Sequence, residues 1–198
     1  MKYFLTLLIM VSFWGCSTVV PSVTEYRVIT DIPFKHLQSE NCKNKSLKVA
    51  QAFSSTSLMS QRMRYTHGLT KQYLYSQAQW SESPNLAITG EFLKHIQKAD
   101  IFKSVLNSKS RSKSDMILEI NIEDFMQYYS EDESKSYVNV ALTLSIIDAK
   151  SSKVLESKSF EIKSDVDQLD AAGGVKMLNK TLQEIIAQSI KWLSGVCK

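Results

Sequence analysis

The sequence predicts an α+β fold: a single two-layer domain with a mixed, mainly antiparallel sheet and two helices packed on one face. Two patterns predict it. Most segments after residue 46 alternate apolar and polar residues, which is typical of strands with one buried face, and two segments repeat apolar residues at steps of three and four, which is typical of amphipathic helices. In chain order the elements are β-β-β-α-β-β-β-β-α, an order that favours one sheet with both helices on the same side.

The first three predicted strands lie between residues 46 and 80. The stretch SLKVAQAF is short and apolar, whereas MSQRMRY and TKQYLYSQAQW alternate with a period of two. His67-Gly68 lies between the last two strands and is typical of a hairpin turn. Upstream, the polar residues 17–45 predict a tether that spans at most roughly 100 Å, with EYRVI as a candidate edge strand.

A helix follows these strands. Ser83 is a favourable N-cap residue, and Pro84 suits the first helical position. The apolar stripe expected to face the sheet consists of Leu86, Leu93, Ile96 and Ala99.

Four more strands and a second helix complete the predicted domain. IFKSVL is a strand, and the polar loop SKSRSKS follows it. Residues 116–123 and 138–146 alternate regularly, with YYSEDESKS as the hairpin tip between them, and DAKSSK turns the chain into the strand VLESKSFEIK. The last helix carries apolar residues on one face: Val175, Leu178, Leu182, Ile185, Ile186, Ile190 and Leu193.

The N-terminus has the layout of a secretory signal. Residues 3–15 form an apolar run of 13 residues, preceded by Lys2, whereas a transmembrane helix needs about 20 residues. The small residue and cysteine that end this run resemble a bacterial lipobox, which identifies Cys16 as the lipid attachment site. Phe13 and Trp14 depart from that pattern, because they replace its usual Leu and small residue.

The lipobox resemblance implies that the thiol of Cys16 takes a diacylglycerol, that the chain is cut before it, and that the new amine is acylated. Such an anchor does not dissociate from the membrane. Ser17, rather than an aspartate, favours the outer membrane. The alternative is a plain signal peptide with an incidental cysteine. The predicted organisation is a signal peptide over residues 1–15, a lipidated tether over 16–45 and a folded domain over 46–198.

Charge and cysteine content limit the classes of partner. The net charge is +4 and loses one unit with Lys2, which is too small to indicate a nucleic-acid partner. Cys42 and Cys197 remain in the exported chain, and an even number of cysteines in an oxidising compartment predicts a disulfide between them. They flank the predicted domain, whose ends are expected to lie close together. Two free thiols, or a bridge between chains, are the alternatives.

No motif of a catalytic, cofactor or metal site is found in the sequence. P-loop, nucleophile-elbow, dinucleotide and C-x-x-C patterns are all absent. Asp165, Asp167 and Asp170 lack the spacing of a calcium loop and are expected to cap the last helix. The histidines are scattered without metal-ligand spacing: His36, His67 and His95. We therefore expect neither catalysis nor a cofactor or metal.

Exposed aromatic and basic side chains are the candidates for binding a partner or lipid. Alternation places Tyr73 and Tyr75 on the face opposite Trp80, so these three cannot all be core residues, and the adjacent Tyr128 and Tyr129 raise the same question. Core packing is the alternative for each. The basic loop is either simply solvated or a contact for anionic lipid head groups or an acidic partner. Its charged candidates are Lys109, Arg111 and Lys113.

The stretch YLYSQAQWSESPNLAITGEFLKHIQKADIFKSV resembles the auxiliary lipoprotein component of ABC-type lipid transport systems. That family has a tyrosine-bearing strand, a Trp, a Pro that opens a helix of small and apolar residues, and a strand that starts with Phe. In this sequence those places are taken by Tyr75, Trp80, Pro84, Leu93 and Phe102. The glutamine before the Trp replaces the family's usual Arg. The resemblance continues to the closing helix and covers about residues 46–193.

The resemblance implies an outer-membrane lipoprotein that faces the periplasm and has no catalytic role. It would dock a mammalian-cell-entry (MCE) type protein that bridges the envelope and carries phospholipid or another apolar molecule. The permease and ATPase would be separate chains, and the lipoprotein itself could assemble into a homo-oligomeric ring. A regulator of peptidoglycan synthesis or of other envelope assembly is the alternative, but such proteins usually carry a longer tether, and an enzyme is a more distant third.

Overall fold

The computed structural model describes residues 21–33 and 42–197. The predicted signal peptide and Cys16 lie outside the described residues. Within them the chain forms a sheet, two α-helices and a short 3-10 helix, Thr56–Met59. The helices are α1 (Pro84–Ala99) and α2 (Ala171–Leu193). The strands are β1 (Thr24–Tyr26), β2 (Ser46–Val49), β3 (Phe53–Ser54), β4 (Arg62–His67), β5 (Lys71–Trp80), β6 (Ser104–Asn107), β7 (Met116–Tyr129), β8 (Ser136–Asp148) and β9 (Val154–Val166).

Strand β7 is the centre of the sheet. One of its edges pairs with β8 in antiparallel fashion along the whole strand, and β8 in turn pairs with β9. The other edge pairs in succession with β2, β3 and β4, all parallel to it. Strand β6 extends the sheet beyond β2, and β5 and then β1 extend it beyond β4. The longest pairings are antiparallel, so the predicted mixed, mainly antiparallel sheet is confirmed.

Both helices pack on one face of this sheet and contact each other, which confirms the predicted two-layer α+β fold. Every apolar residue predicted for the buried face of α2 is buried. The stripe predicted for α1 is partly wrong, because Leu86 is exposed and Leu93 only half-buried. The buried face of α1 is formed by Ile88, Phe92, Ile96 and Ala99.

A bulge in β7 changes which of its residues face the helices. The pairing with β8 shifts between Ile122 and Asp124, so that one extra residue interrupts the period of two. Even-numbered residues face the helices before the bulge, and odd-numbered residues face them after it. The helix-facing set is Met116, Leu118, Ile120, Ile122, Phe125, Gln127 and Tyr129.

The segment predicted as a tether over residues 16–45 differs in the structure, since residues 21–33 lie against the domain. Strand β1 pairs with the edge of β5, as the candidate edge strand in EYRVI suggested, and Val28 joins the hydrophobic core. The segment also binds α2, because Asn179 donates its amide to the carbonyl of Arg27 (3.1 Å) and Gln183 accepts the backbone N–H of Asp31 (3.1 Å). The packed domain therefore begins well before residue 46.

A buried polar cluster fastens the same segment to α1. The carboxylate of Glu91 accepts hydrogen bonds from the backbone N–H (2.9 Å) and the hydroxyl (2.5 Å) of Thr30. Nε2 of His95 lies 2.7 Å from that hydroxyl, and Lys94 donates to both Glu91 and the carbonyl of Thr30. Thr30 and His95 are buried, so their polar groups cannot bind water. The hydrogen bonds within the cluster take the place of the hydrogen bonds to water that folding removes.

The disulfide joins the start of this domain to its end. In the structure Cys42 and Cys197 are bridged with their Cα atoms 5.2 Å apart, within the usual range. Cys42 is completely buried beside the C-terminal part of α2. The bridge closes a loop of 155 residues in sequence separation.

The cluster around His95 predicts a loss of stability at acid pH. Burial lowers the pKa of His95, and although burial opposes it, hydrogen bonds from Lys94 and Thr30 lower the pKa of Glu91. Both contributions to stability are therefore complete above the ordinary pKa values of about 6.5 for His and 4.3 for Glu, and are lost as the pH falls below them. We expect the thermal midpoint to fall between about pH 7.5 and pH 4.5.

The variant His95→Gln is the matched test of this prediction, since it keeps a polar side chain but cannot titrate. It should be less stable at neutral pH and should lose less stability between about pH 7.5 and pH 5.5 than the parent. An unchanged slope in thermal denaturation across that range would contradict the assignment to His95.

The disulfide predicts a large loss of stability when it is removed. A loop of this length corresponds to roughly 5 kcal/mol in the chain-entropy model, and measured values usually fall below that. The variant Cys42→Ala/Cys197→Ala should therefore unfold at clearly lower denaturant concentration. Labelling of the exported parent protein with a thiol reagent, before and after reduction, checks the pairing. Two reactive thiols in the unreduced protein would contradict it.

Candidate functional site

The two ends of the elongated sheet differ in chemistry. At one end, which we call the turn end, the β4–β5 turn (residues 68–70) lies beside the β7–β8 turn (residues 130–135). Gly68 donates its N–H to the carbonyl of Tyr129 (3.0 Å), and Lys71 pairs with Glu131 (3.6 Å). The other end, formed by the β8–β9 turn and the start of β7, is separated from it by 14 residues of β7, about 45 Å.

An aromatic cluster lies at the turn end on the helix-facing side of the sheet. It consists of Tyr65, His67, Tyr73, Tyr75 and Tyr129, whose contacting rings have centroids 4.5–5.6 Å apart. The hydroxyl of Tyr75 lies 2.9 Å from both Oε1 of Gln127 and the hydroxyl of Tyr129. Burial raises the pKa of Tyr75 and of Tyr129, so both stay neutral.

The expectation that Tyr75 and Trp80 lie on opposite faces is wrong. Between Arg64↔Leu74 and Arg62↔Gln79 the pairing of β4 with β5 shifts by several residues, which reverses the alternation within β5. Trp80 packs on Phe125, in the same helix-facing row of β7 as Gln127, the partner of Tyr75. Tyr75 is therefore half-buried against the core. Of Tyr73, Tyr75 and Trp80, Tyr73 alone is exposed to a partner, with 44% of its surface accessible.

The adjacent Tyr128 and Tyr129 point to opposite faces of β7. Tyr129 is buried on the helix-facing side. Tyr128 is half-buried on the other side, where it stacks on Tyr137 (5.0 Å) and donates its hydroxyl to Asp124 (2.5 Å). Asn139 donates to the same carboxylate (2.8 Å). Burial raises the pKa of Asp124, although the hydrogen bonds from Tyr128 and Asn139 act to lower it. Tyr128 thus has partners within the domain.

The basic loop lies at the far end of the sheet, in the connection between β6 and β7. Its charged residues are exposed, and four lysines from other connections surround the same end. The N–H of Lys103 donates to the carbonyl of Lys45 (2.9 Å), and the loop itself is held by Lys48, which donates to the carbonyl of Ser110 (3.1 Å). We call the following set the basic end: Lys45, Lys103, Lys109, Arg111, Lys113, Lys150 and Lys153.

The acids at the basic end hold its loops. The carboxylate of Asp115 accepts the N–H (2.7 Å) and hydroxyl (2.6 Å) of Ser46, and that of Asp148 accepts the N–H groups of Lys150 (3.1 Å) and Ser151 (2.7 Å). These hydrogen bonds lower the pKa of both carboxyl groups, and Lys45 adds to the effect. The lysines are therefore presented on ordered loops.

A groove of about 780 Å³ opens at the basic end. Met116, Leu155, Val196 and the disulfide cysteine Cys197 form its apolar part, whereas lysines and the two loop-holding acids form its polar part. The groove therefore combines an apolar surface with flexible cationic side chains, a combination that suits a protein partner carrying apolar and acidic residues.

The sequence predicted three of the seven basic residues, Lys109, Arg111 and Lys113, because these three lie together in one basic loop. Parallel strands start at the same end of a sheet, and Lys45, Lys103 and Lys113 precede the parallel strands β2, β6 and β7. The parallel pairing of these strands is thus the feature that places the three lysines at one end of the sheet, and the sequence pattern does not reveal that pairing.

The polar residues that raised the question of a metal have other roles. Asp170 caps α2, since it accepts the N–H of Gly173 (2.8 Å), as predicted, whereas Asp165 lies in β9. Among residues 21–33 and 42–197, no group of three or more His, Cys, Asp or Glu side chains is arranged to hold a metal ion. In the same part of the chain, no helix has the length and hydrophobicity needed to cross a bilayer.

Solved structures share this fold. Protein XCC0632 from Xanthomonas campestris superposes with a TM-score of 0.72 and 16% identity, over 89% of this chain and 93% of that one. A second, uncharacterized protein gives 0.68 and 12%, over 87% and 99%. The hypothetical protein CT253 from Chlamydia trachomatis gives 0.51 and 8%, over 78% and 98%. At these identities the likeness concerns the fold alone. No curated protein matches the sequence.

The sequence itself carries the family assignment. The model of the ABC-type transport auxiliary lipoprotein component matches residues 37–189, which include every strand from β2 to β9 and most of α2. This range agrees with the resemblance carried by Tyr75, Trp80, Pro84, Leu93 and Phe102. The chain therefore belongs to the family of ABC-type transport auxiliary lipoprotein components.

Proposed function

We propose that this protein is a non-catalytic, outer-membrane lipoprotein that serves an MCE/ABC-type lipid transport system by docking its periplasm-spanning protein. Membership of the auxiliary lipoprotein family supports the link to an ABC-type system. The observation that carries the docking role is the basic end, where seven cationic side chains collect at the far end of the sheet from the turns and two of them, Lys45 and Lys150, line a partly apolar groove.

The N-terminal chain leads toward the turn end. Strand β1 is parallel to β5, with Thr24 opposite Ala78, so the chain enters β1 from the side on which β5 starts. Val23 accordingly lines the same shallow pocket as Leu74. Only four residues separate Cys16 from Pro21, a distance of at most about 18 Å in extended chain. A lipid on Cys16 would therefore hold the turn end near the membrane.

The basic end then faces the periplasm. It is separated from the turn end by the length of β7, well beyond the roughly 10 Å over which surface charges act in salt. Its lysines consequently serve a protein with an acidic and apolar surface, such as the MCE-type protein, better than the head groups of the anchoring membrane. The permease and ATPase are separate chains in this proposal, and a homo-oligomeric ring would present several basic ends to one partner.

The short anchor also bears on the alternative. A regulator of peptidoglycan synthesis or of other envelope assembly must reach across the periplasm, and the 29-residue tether expected from the sequence gave it roughly 100 Å. Packing of residues 21–33 on the domain removes most of that reach. This favours a partner that comes to the membrane, as a periplasm-spanning transport protein does.

Lipidation predicts a specific defect for Cys16→Ala. The variant should accumulate as an unprocessed precursor in the inner membrane, because the thiol that receives the diacylglycerol is missing. Cys42→Ala is the control and should still be processed. Processing is measured by gel mobility and by incorporation of labelled fatty acid into membrane fractions. Normal processing and outer-membrane fractionation of Cys16→Ala would refute lipidation at this residue.

The basic end predicts a charge-dependent interaction with the MCE-type protein of the same system. Lys109→Glu/Lys113→Glu should weaken binding of that purified protein about tenfold and reduce its salt dependence, because attraction is replaced by repulsion. Lys176→Glu/Lys180→Glu makes the same charge change at exposed positions of α2 and should change affinity less than about twofold. Equal effects of the two variants would reject docking at the basic end.

A further inference from the structure

The β4–β5 turn presents the most exposed large apolar side chain among the described residues. Leu69 has 85% of its surface in contact with solvent. Exposure of a leucine at a turn is unfavourable in water and is relieved when the side chain enters an apolar phase. Four more exposed apolar side chains lie at the same turn end: Val23, Tyr73, Leu74 and Leu169.

The turn is held firmly in place. Gly68 adopts a left-handed conformation (φ +59°), and a Cβ at this position would lie 2.3 Å from Oε1 of Glu131. The N–H of Gly68 binds the carbonyl of Tyr129, and Lys71 pairs with Glu131. Leu69 is therefore presented by two hairpins that brace each other.

The length of the N-terminal chain brings a membrane to this turn. Cys16 precedes Thr24 by eight residues, at most about 28 Å of extended chain. Thr24 lies opposite Ala78, and eight residues back along β5 from Ala78 is Thr70, in the turn itself. A lipid on Cys16 can thus come level with the β4–β5 turn but cannot extend far past it, so a bilayer that holds this lipid would lie against the turn end.

We propose that the β4–β5 turn is a second membrane contact, in which Leu69 inserts as far as the boundary between head groups and acyl chains in the bilayer that holds the lipid of Cys16. This contact rests on the proposed lipidation. It would fix the orientation of the domain, which a single flexible anchor does not, and would keep the basic end directed away from the membrane.

The charges at the turn end select a zwitterionic surface. The β7–β8 turn carries Glu131, Asp132 and Glu133, which exceed the nearby cations Lys71 and Lys135. Two of these acids pair with Lys71 and His67, and Asp132 accepts hydrogen bonds from Ser130 and Ser134. On a zwitterionic membrane the contact is consequently apolar and insensitive to salt, and anionic lipids weaken it by repulsion.

The test uses the full lipidated protein in vesicles of phosphatidylcholine and phosphatidylethanolamine, with tryptophan as the reporter. Leu69→Trp keeps the turn apolar, and Val154→Trp places a reporter at the basic end, where the native residue is 61% exposed. The buried Trp80 and half-buried Trp192 give a constant background that the parent protein measures. Fluorescence is recorded with and without brominated acyl chains, and anchoring is measured separately by flotation.

We expect the added emission of the Leu69→Trp variant to shift to shorter wavelength and to be quenched about twofold or more by brominated lipid, while that of Val154→Trp stays unquenched. High salt should leave this difference unchanged. If the protein floats with the vesicles but the two reporters respond alike, the membrane contact is refuted and the lipid anchor stands. If the protein does not float, lipidation fails, and the contact that rests on it fails as well.

Discussion

The pairing of β7 on both of its edges is the constraint on which the rest of the structure depends. One edge carries the long β8–β9 meander, and the other carries β2, β3 and β4 in succession, so β7 joins these two groups of strands into one sheet. Because β2 pairs with the start of β7 and β4 with its end, both in parallel, the start of β2 lies at one end of the sheet and the end of β4 lies at the other. The lysines that precede β2, β6 and β7 therefore lie at the basic end, and the β4–β5 and β7–β8 turns lie with the aromatic cluster at the turn end.

The N-terminal segment gives the domain a defined relation to the part of the chain that precedes it. Residues 27–31 lie across both helices, held by Asn179 and Gln183 on one side and by the Glu91–His95 cluster on the other. Ordering this segment costs conformational entropy that a flexible tether would retain. If Cys16 is lipidated as proposed, the packed segment leaves only a short link between the domain and its lipid, and that link gives the direction from the turn end to the basic end a fixed relation to the membrane.

The sequence was sufficient for the elements and the layers, because each strand and helix displays its own period. It was insufficient wherever a bulge interrupts the period: the shift within β5 places Tyr75 on the same face as Trp80, and no residue in that stretch signals it. The basic end was only partly predictable, since Lys45 and Lys150 join it through pairing across the sheet. The tether was misjudged because Thr30 is bound by buried partners on a helix about 60 residues away.

The disulfide imposes an order of events on biogenesis. Strands β2–β9 and both helices lie between Cys42 and Cys197, so in an exported lipoprotein of the kind proposed above the bridge cannot close until that whole stretch has left the cytoplasm. Until then Cys42, whose native site is buried beside the end of α2, remains an available thiol. A chain that is cleaved or stalled before α2 would then differ chemically from a finished one, because its Cys42 would lack the partner with which an oxidising compartment joins it.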